Sequence, residues 1–501
     1  MGRPSGELAL ILSLLPSKRV LTAVSVLAAL LALSTGVAKG KAPRARTPPR
    51  TKAAKPALPR PWVATLRALE VSGSGATLRG RVNPLGRRTA YWFQYGTTRR
   101  YGRHTSTWTT RSVRRLLPIS VRLSRLGALT TYHYRLVASL CRGCRQATAY
   151  GHDTVLTTTG YVNPLFGRAP DPFVLDNNGT HNDYWAFTTG NGFPILHSSD
   201  LLHWTPVGHA LTQRPAWTSR APDWHPWAPD VVNARESCPG TTSPSCYVMY
   251  YTALSAQFNI NCVALATATT PAGPFIDQGP LSDGRVDAAG RPIGCGDNNG
   301  YGMIDPSLFV DPRTGQHLLY SSEDFACPVG GAFCTGANST LRPTISVLPI
   351  SSDFLNAAGA RMPLFSGQAG SWEANTDSVP TVEDPSVLYH RGYYYLLYSG
   401  GNWRADYAVG YALAASPTGP FVKGGNNPIV KQTPPALSAG GGEAPVVGPH
   451  RGLWYVYHAR SGSYDNPRTL RLDSFSWRPV TPNIDVPAIG APTATPQPAQ
   501  P

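Results

Sequence analysis

Acidic residues are scarce in this chain, which has 28 Asp and Glu against 45 Lys and Arg and a net charge of +17. Residues 1–158 hold 27 Lys and Arg against only three acids, so they carry +24 and the remainder carries −7. A basic balance commonly indicates a nucleic-acid partner. Here the basic residues lie outside the part with candidate catalytic groups, so we expect no nucleic acid to bind.

The sequence also lacks a complete set of zinc ligands. Cys141-Arg-Gly-Cys144 has no second CxxC motif and no HxxxH motif to accompany it, which favours a local disulfide or loop clip over zinc. Three further pairs are close enough in sequence to staple loops: Cys238 and Cys246, Cys262 and Cys295, and Cys327 and Cys334. Disulfides would fit an oxidising location, and unpaired thiols are the alternative.

One long apolar run stands near the N-terminus, preceded by Lys18-Arg19 and ending in the small residues Gly36-Val37-Ala38. This pattern predicts that residues 1–38 are a signal peptide or, uncleaved, a membrane anchor. Residues 39–61 are basic and rich in proline, which predicts a disordered linker. We therefore expect a secreted or extracytoplasmic protein, with anchoring through residues 1–38 as one alternative.

The segment 62–158 alternates apolar and polar residues between Gly, Pro and Asn turns, which predicts an antiparallel β-sandwich. Leu126 followed by Tyr132-His-Tyr134 resembles the Leu and Tyr corner of fibronectin type III modules. The segment contains no catalytic set, so it is interpreted as a spacer or a binding module. Its charge and that of the linker would attract an anionic cell-surface polymer.

A related motif recurs five times at intervals of roughly 60 to 80 residues, each time opening an apolar run that leads to an aromatic strand. The copies begin at Asp171, Asp230, Asp305, Glu383 and Glu443. The repeat predicts an all-β fold in which residues 161–487 form a five-bladed β-propeller. The tail, 488–501, alternates Pro, Ala and Thr and is predicted to be disordered.

Three copies place a carboxylate at the start of the strand that lines a propeller channel: Asp171, Asp305 and Glu383. Carboxylates are almost never buried without a partner or a purpose. An Asp before Pro also commonly ends a turn by accepting local N–H bonds. Three carboxylates at repeat-equivalent sites favour a catalytic group over this structural explanation.

The motifs taken in order resemble the blades of glycoside hydrolase family 43. They are APDPFV from Ala169, WAPDV from Trp227, IDPSLFVD from Ile304, VEDP with YYYLLYSGG from Val382, and RTLRLDSFSW from Arg468. The resemblance implies an inverting glycosidase that acts on arabinose- or xylose-containing polysaccharides or oligosaccharides. An arabinanase or α-L-arabinofuranosidase is favoured, with β-xylosidase a close alternative.

Residue by residue, the resemblance implies that Asp171 is the general base and Glu383 the general acid, while Asp305 orients the acid and tunes its pKa. An inverting enzyme needs one protonated and one ionised carboxyl group on opposite sides of the sugar, and a neighbouring carboxylate keeps the acid protonated. Trp227 is interpreted as a stacking wall for a sugar ring, with packing between blades as the alternative.

Two departures from the family pattern bear on the site. In strict repeat register Asp384, not Glu383, aligns with Asp171 and Asp305, although Glu383 matches the family's Glu-x-Pro spacing. Gly442-Glu443 stands where many members carry a Gly-His that helps to hold a channel ion. We expect no required cofactor; a channel calcium ion would depend on Glu443.

Two other classes of function are compatible with a propeller. One is a non-catalytic carbohydrate-binding or adhesive protein, which would not need both a proton donor and a base. The other is the fructan-cleaving group of five-bladed hydrolases, whose retaining chemistry expects a nucleophilic Asp in a different opening motif. Retention of all three carboxylates favours the inverting glycosidase.

Overall fold

The computed structural model describes residues 59–140, 147–234, 238–296, 302–324, 343–374, 380–442, 445–490 and 492–499. Strands dominate these residues, and the described helical elements are short 3-10 turns such as Asn177–Gly179 and Ile293–Cys295. The prediction of an all-β chain with an N-terminal sandwich and a five-bladed propeller is confirmed.

The N-terminal module is made of two antiparallel sheets. Its strands are β1 (Trp62–Leu69), β2 (Ala76–Asn83), β3 (Ala90–Gly96), β4 (Arg103–His104), β5 (Trp108–Thr109), β6 (Leu117–Leu123), β7 (Thr131–Ser139), β8 (Thr148–Tyr150) and β9 (Thr154–Thr157). One sheet has the order β1-β2-β6, and the other has the order β4-β3-β7-β8, with β5 beside β3 and β9 beside β7.

The sandwich core follows from the alternation in its strands. Leu78, Phe93 and Leu136 are fully buried between the two sheets. The hydroxyl of Tyr132 accepts a hydrogen bond from the Gly127 N–H at 2.9 Å, as a tyrosine near a sandwich corner does when it bonds to the backbone a few residues upstream. The likeness to fibronectin type III modules stays a prediction.

Blades 1 to 4 are four-stranded antiparallel sheets whose strands follow the chain order. Blade 1 comprises β11 (Phe173–Asp176), β12 (Tyr184–Phe187), β13 (Pro194–Ser198) and β14 (Thr205–His209). Blade 2 comprises β15 (Trp227–Asn233), β16 (Tyr247–Leu254), β17 (Asn261–Ala268) and β18 (Ile276–Pro280). Blade 3 comprises β19 (Gly302–Val310), β20 (His317–Asp324), β21 (Thr344–Ile350) and β22 (Met362–Ser366). Blade 4 comprises β23 (Val382–His390), β24 (Tyr393–Gly400), β25 (Ala408–Ala414) and β26 (Val422–Lys423).

Blade 5 closes the ring with strands from both ends of the domain. It comprises β10 (Phe166–Arg168), β27 (Ala436–Gly440), β28 (Val446–Val447), β29 (Leu453–Ser461), β30 (Thr469–Pro479) and β31 (Asp485–Ile489). Strand β10 precedes blade 1 in the chain, yet it pairs with β30. This pairing ties the start of the domain to its last blade, so the propeller does not open between blades 5 and 1.

The tail differs from its prediction of disorder. Strand β31 extends to Ile489, and Gln497 exchanges two backbone hydrogen bonds with Tyr161 at 2.8 and 3.0 Å. Thr493 also donates its hydroxyl hydrogen to the Asp473 carboxylate. Composition suggests disorder here because the segment alternates Pro, Ala and Thr, but Gln497 and Thr493 find hydrogen-bond partners on the propeller.

Neighbouring blades are joined by apolar clusters and tyrosine hydroxyl groups. Phe187 of blade 1 packs in one cluster with Tyr251 of blade 2. The Tyr184 hydroxyl of blade 1 bonds to the Val447 carbonyl of blade 5 at 2.9 Å, and that of Tyr320 in blade 3 bonds to the Pro417 carbonyl at 2.6 Å. Buried tyrosines thus supply apolar area and satisfy their own hydroxyls.

Two of the expected cysteine pairs are disulfides, Cys238–Cys246 and Cys262–Cys295. The pairs Cys141 with Cys144 and Cys327 with Cys334 lie outside the described residues, as do the predicted signal or anchor segment, most of the linker and Glu443. Within the described part of the chain, no helix has the length and apolar character needed to cross a membrane.

Candidate active site

Four blades present an Xaa-Pro step with the same unusual backbone at the start of their first strand. Asp171, Ala228, Asp305 and Asp384 have φ values of 44°, 41°, 54° and 50°. Each precedes a proline, whose nitrogen cannot donate to the strand ladder. In blades 2, 3 and 4 the strand register shifts at this step, which is a bulge that redirects a side chain.

This backbone repeat settles which residues are equivalent. Asp171, Asp305 and Asp384 occupy one position, and blade 2 has Ala228 there. Asp230 lies two residues later and does not belong to the set; its carboxylate accepts the N–H of Leu308 in the next blade at 3.0 Å. Burial raises the pKa of Asp230 to about 7. Its role is therefore to connect blades 2 and 3, although the sequence motif aligns it with Asp171.

The three predicted carboxylates do converge on one place. Burial raises the pKa of Asp305 well above its usual range, and the charges of Asp384, Glu383 and Asp171 raise it further. The same four carboxylates raise the pKa of the buried Tyr407 hydroxyl, for which burial is the largest cause. Four acidic side chains from three blades therefore act on the same buried groups, and two of the four are adjacent in blade 4.

Asp171 has a cationic partner. Its Oδ1 accepts a hydrogen bond from Arg468 Nη1 at 2.7 Å, and its N–H donates to Nδ1 of His458 at 3.1 Å. His458 is fully buried, and burial together with the charges of Arg468 and Arg460 holds its pKa well below the usual range. A neutral imidazole and a guanidinium therefore fix the position of this carboxylate.

A glycine allows His458 to approach Asp171 this closely. Gly441 has a φ of 58°, and a Cβ there would lie 2.2 Å from His458 Cε1 and 2.7 Å from Asp171 Oδ1. Any side chain at this position would displace the imidazole, the carboxylate or both. The Gly441 N–H donates to the Ser399 hydroxyl at 3.0 Å, which holds the loop in place.

Asp305 and Asp384 are linked directly through the backbone. The Asp384 N–H donates to Asp305 Oδ2 at 3.2 Å, and the Asp305 N–H donates to the Thr252 hydroxyl at 3.0 Å. The Tyr407 hydroxyl donates to Asp384 Oδ2 at 2.5 Å. Burial and the charge of Asp171 raise the pKa of Asp384 to about 7, although Tyr407 and Arg468 act in the opposite direction.

Trp227, interpreted from the sequence as a sugar-stacking wall, is the first residue of β15 and is half-buried. Its ring stacks on His225 at a centroid distance of 4.0 Å and an interplanar angle of 14°. Trp227 of β15 pairs with Thr252 of β16, and the Thr252 hydroxyl accepts the hydrogen bond from the Asp305 N–H. Trp227 therefore lies one strand away from a candidate carboxylate, and its contact with a sugar stays a prediction.

Sequence reasoning did not assign three residues of this site: Tyr407, His458 and Arg468. Arg468 begins the RTLRLDSFSW motif that the sequence analysis identified, and His458 lies in β29. Their roles depend on which side chains the ring closure brings beside Asp171, and the sequence does not show that. Among the residues that the structure describes, no group of three His, Cys, Asp or Glu side chains is arranged to hold a metal ion.

Acidic groups converge at the channel of this five-bladed propeller and one of them is held by a guanidinium, an arrangement suited to the carboxyl-dependent hydrolysis of a glycosidic bond. The family model for glycosyl hydrolases family 43 matches residues 161–480 of this chain. The chain therefore belongs to glycosyl hydrolases family 43, and it is a glycosidase that hydrolyses O-glycosyl bonds.

Individual relatives are distant but cover the propeller. The chain is 23% identical over 329 residues to an extracellular endo-α-(1→5)-L-arabinanase of Bacillus subtilis, covering 61% of this chain and 84% of that protein. It is 26% identical over 330 residues to the β-D-galactofuranosidase xynD of Aspergillus niger, covering 64% and 82%. A thermostable family-43 glycoside hydrolase of known crystal structure superposes with a TM-score of 0.53 at 25% identity, covering 67% of this chain and 98% of that one.

Proposed function

We propose that the protein is an inverting glycosidase in which Asp171 is the general base, Glu383 the general acid and Asp305 the group that orients and tunes the acid. The unequal partnering of the carboxylates carries this assignment. Asp171 has the guanidinium of Arg468 at 2.7 Å, whereas Asp305 is buried among three other carboxylates that disfavour its ionisation.

The proposed acid–base chemistry follows from this difference between the partners of Asp171 and Asp305. A base must be ionised to take a proton from water, and Arg468 supplies the opposite charge for the Asp171 carboxylate. The leaving oxygen must receive a proton at the same time, from a carboxyl group on the other side of the sugar. Glu383 has the required position in the family's Glu-x-Pro motif, and its charge is among those that raise the pKa of the buried Asp305.

The substrate class proposed is an arabinose- or xylose-containing polysaccharide or oligosaccharide. Relatives are named as an arabinanase, a β-D-galactofuranosidase and, in a Vibrio species, a xylan 1,3-β-xylosidase. An arabinanase or α-L-arabinofuranosidase is favoured because arabinan-cleaving names recur among the relatives. The non-catalytic and fructan-cleaving alternatives are not favoured by these comparisons.

The protein is further proposed to act outside the cytoplasm. The two disulfides found among the described residues are typical of an oxidising compartment, and one relative is named as extracellular. The +24 charge of residues 1–158 would hold the enzyme near an anionic cell-surface polymer through long-range attraction that salt weakens.

The test is hydrolysis of arabinan, arabinoxylan, xylan and levan by the wild type and by Asp171→Asn and Glu383→Gln. Each variant removes a proton-transfer role, so we expect a loss of at least about 100-fold in rate with unfolding unchanged. Asp223→Asn, at an exposed aspartate, is the control. NMR of the first-formed sugar should show inversion; release with retained configuration, or release from levan alone, would contradict the proposal.

A further inference from the structure

A cleft opens between the two sheets of the N-terminal module, with a volume of about 480 Å³. Its walls are β6, an edge strand of one sheet, and β3 with β5 at the edge of the other. The volume falls in the range of about 300–1,000 Å³ that ligand pockets occupy. We call it the sandwich cleft, and its lining consists of Tyr91, Tyr95, Thr105, Ser106, Trp108 and residues 120–124.

One wall of the sandwich cleft is aromatic. Tyr91 of β3 and Trp108 of β5 are cross-strand partners, and their rings stack at a centroid distance of 5.9 Å and an interplanar angle of 25°. Tyr95 lies on the same face of β3, about 13 Å further along the strand. Trp108 is 38% exposed, so a ligand can reach its indole. Aromatic faces spaced along a cleft offer apolar surface to the C–H faces of successive sugar rings.

Packing in the sandwich core explains only part of this wall. Phe93 lies between Tyr91 and Tyr95 on the inner face of β3 and is fully buried, whereas the two tyrosines are only partly buried against the same core. Val121 of β6, which also lines the cleft, is likewise partly buried. The core therefore holds these side chains in place but leaves part of each one open to the cleft.

The other wall and the rim of the cleft supply polar groups. Strand β6 is at the edge of its sheet, and an edge strand presents backbone N–H and C=O groups. Ser106, which is exposed, adds a hydroxyl group beside Trp108. A pocket with apolar rings and a few polar groups at its edge suits a ligand that has both an apolar face and hydroxyl groups.

The charge of the lining indicates a neutral ligand. Residues 62–158 hold 16 Arg, yet among the described residues that line the cleft the charged one is Arg122. Its Nη1 lies 3.7 Å from Glu70 Oε2 and its side chain is 80% exposed. An anionic ligand would be expected to draw several guanidinium groups to its site. The module carries its positive charge away from this cleft.

We propose that the sandwich cleft is a carbohydrate-binding site that holds a neutral stretch of the polysaccharide substrate, with Tyr91 and Trp108 as its stacking surface. The identity of the polymer, an arabinose- or xylose-containing chain, rests on the proposed function. Because the sandwich and the propeller belong to one chain, a polymer held in the cleft stays at a high effective concentration for the propeller. The cleft would thus favour action on long polymers over short ones.

The binding test measures depletion of the full-length protein from solution by insoluble arabinan and xylan, in an Asp171→Asn background so that the polymer is not consumed. We expect Trp108→Ala to weaken the apparent affinity about tenfold, and Trp108→Phe, which keeps a smaller ring, to weaken it roughly twofold. Trp62→Ala is the matched control, since Trp62 is 50% exposed on β1 of the same module, and it should bind as the parent does.

Three results of the binding test would overturn the proposal. They are unchanged binding in both Trp108 variants, equal weakening in Trp62→Ala, and Trp108-dependent binding that favours polygalacturonate over the neutral polymers. Urea unfolding checks the fold of Trp108→Ala. If that variant does not fold, Trp108→Phe decides, and unchanged binding in it contradicts the proposal. Trp108-dependent binding of a proline-rich peptide but not of arabinan or xylan would assign the cleft to a peptide instead.

A hydrolysis test separates this inference from the proposed function. With Asp171 intact, Trp108→Ala should lower kcat/KM on insoluble polymer and leave kcat/KM on a short soluble oligosaccharide unchanged. Trp108-dependent retention on the polymer supports the cleft even if no arabinan or xylan is cleaved. Hydrolysis of the polymer without such retention would overturn the cleft and leave the proposed function intact.

Discussion

Asp384 gives a direct test of the electrostatics of this site, because its charge can be removed without altering its hydrogen bonds. In Asp384→Asn the amide oxygen can still accept the bond from Tyr407, and the backbone N–H still reaches Asp305. Only the ionisable group is lost. Any change in the pH dependence of stability then reports the cost of an ionised carboxylate at this position.

The sign of the effect follows from the direction of the pKa shift. The Asp384 pKa is about 7 in the folded protein against an ordinary value of 3.8. Between these values the folded state keeps a proton that the unfolded chain has released, so the free energy of unfolding falls as pH rises through this window. A shift of this size corresponds to about 4 kcal/mol as an upper limit. Partial exposure of the side chain reduces our expectation to about 2 kcal/mol.

The assay is urea unfolding of the wild type and Asp384→Asn at pH 4.5 and pH 8, with Asp223→Asn as the control. The control keeps its bond to the His225 N–H and removes an exposed charge. We expect Asp384→Asn to lose much less stability than the wild type between the two pH values. If both proteins lose the same amount, Asp384 is not held protonated and the reasoning fails.

The same variant separates the two candidates for the acid. If Glu383 donates the proton, Asp384→Asn should keep most of the activity and shift the alkaline limb of the pH profile, because one repelling carboxylate has gone. Loss of activity equal to that of Glu383→Gln, with no shift of the limb, would transfer the role of the acid to Asp384.

Two further outcomes are expected. Gly441→Ala should lower the rate of hydrolysis by about 10- to 100-fold, because its Cβ would lie 2.2 Å from His458 Cε1 and a misplaced base is costly. Gly462→Ala is the control, since Gly462 has a φ of 74° and no atom within 4 Å of an added Cβ. Equal losses of activity in the two variants would argue for a backbone effect alone. A protein that starts at Tyr161 should keep turnover on a short oligosaccharide but lose salt-sensitive retention on pectin or cell envelope. Equal retention of both forms at low salt would show that residues 1–158 act only as a spacer.

The strands of the propeller were largely predictable because each blade repeats the same local signals. An apolar first strand and an aromatic second strand recur, and β24 begins at Tyr393, the first residue of the YYYLLYSGG run. Alternation likewise predicted the sandwich. The tail was not predictable, since a Pro- and Thr-rich segment has no pattern of its own and takes its order from Tyr161 and Asp473.

The site was predictable as a set of positions but less so as a set of contacts. The motifs place Asp171, Asp305 and Glu383 at the channel, and in the structure the charges of Asp171 and Glu383 both raise the pKa of Asp305. The sequence motif also aligned Asp230 with them, because Ala-Pro-Asp occurs at both places and the sequence does not show which residue has a positive φ. The positive φ at the residue before each proline identifies Ala228 as the true equivalent.

The propeller repeats the positive-φ Xaa-Pro step in several blades, and the hydrogen-bond partners of the residue before proline differ from blade to blade. The strained Xaa-Pro step costs about 1 to 2 kcal/mol per copy, so its recurrence at Asp171, Asp305 and Asp384 implies a benefit that local structure does not explain. That benefit differs between blades. Blade 5 gives Asp171 the guanidinium of Arg468, while Asp305 and Asp384 receive mainly uncharged donors and each other. Equal backbone positions thus carry one carboxylate that is bound to a guanidinium and two that are linked to each other by a backbone hydrogen bond.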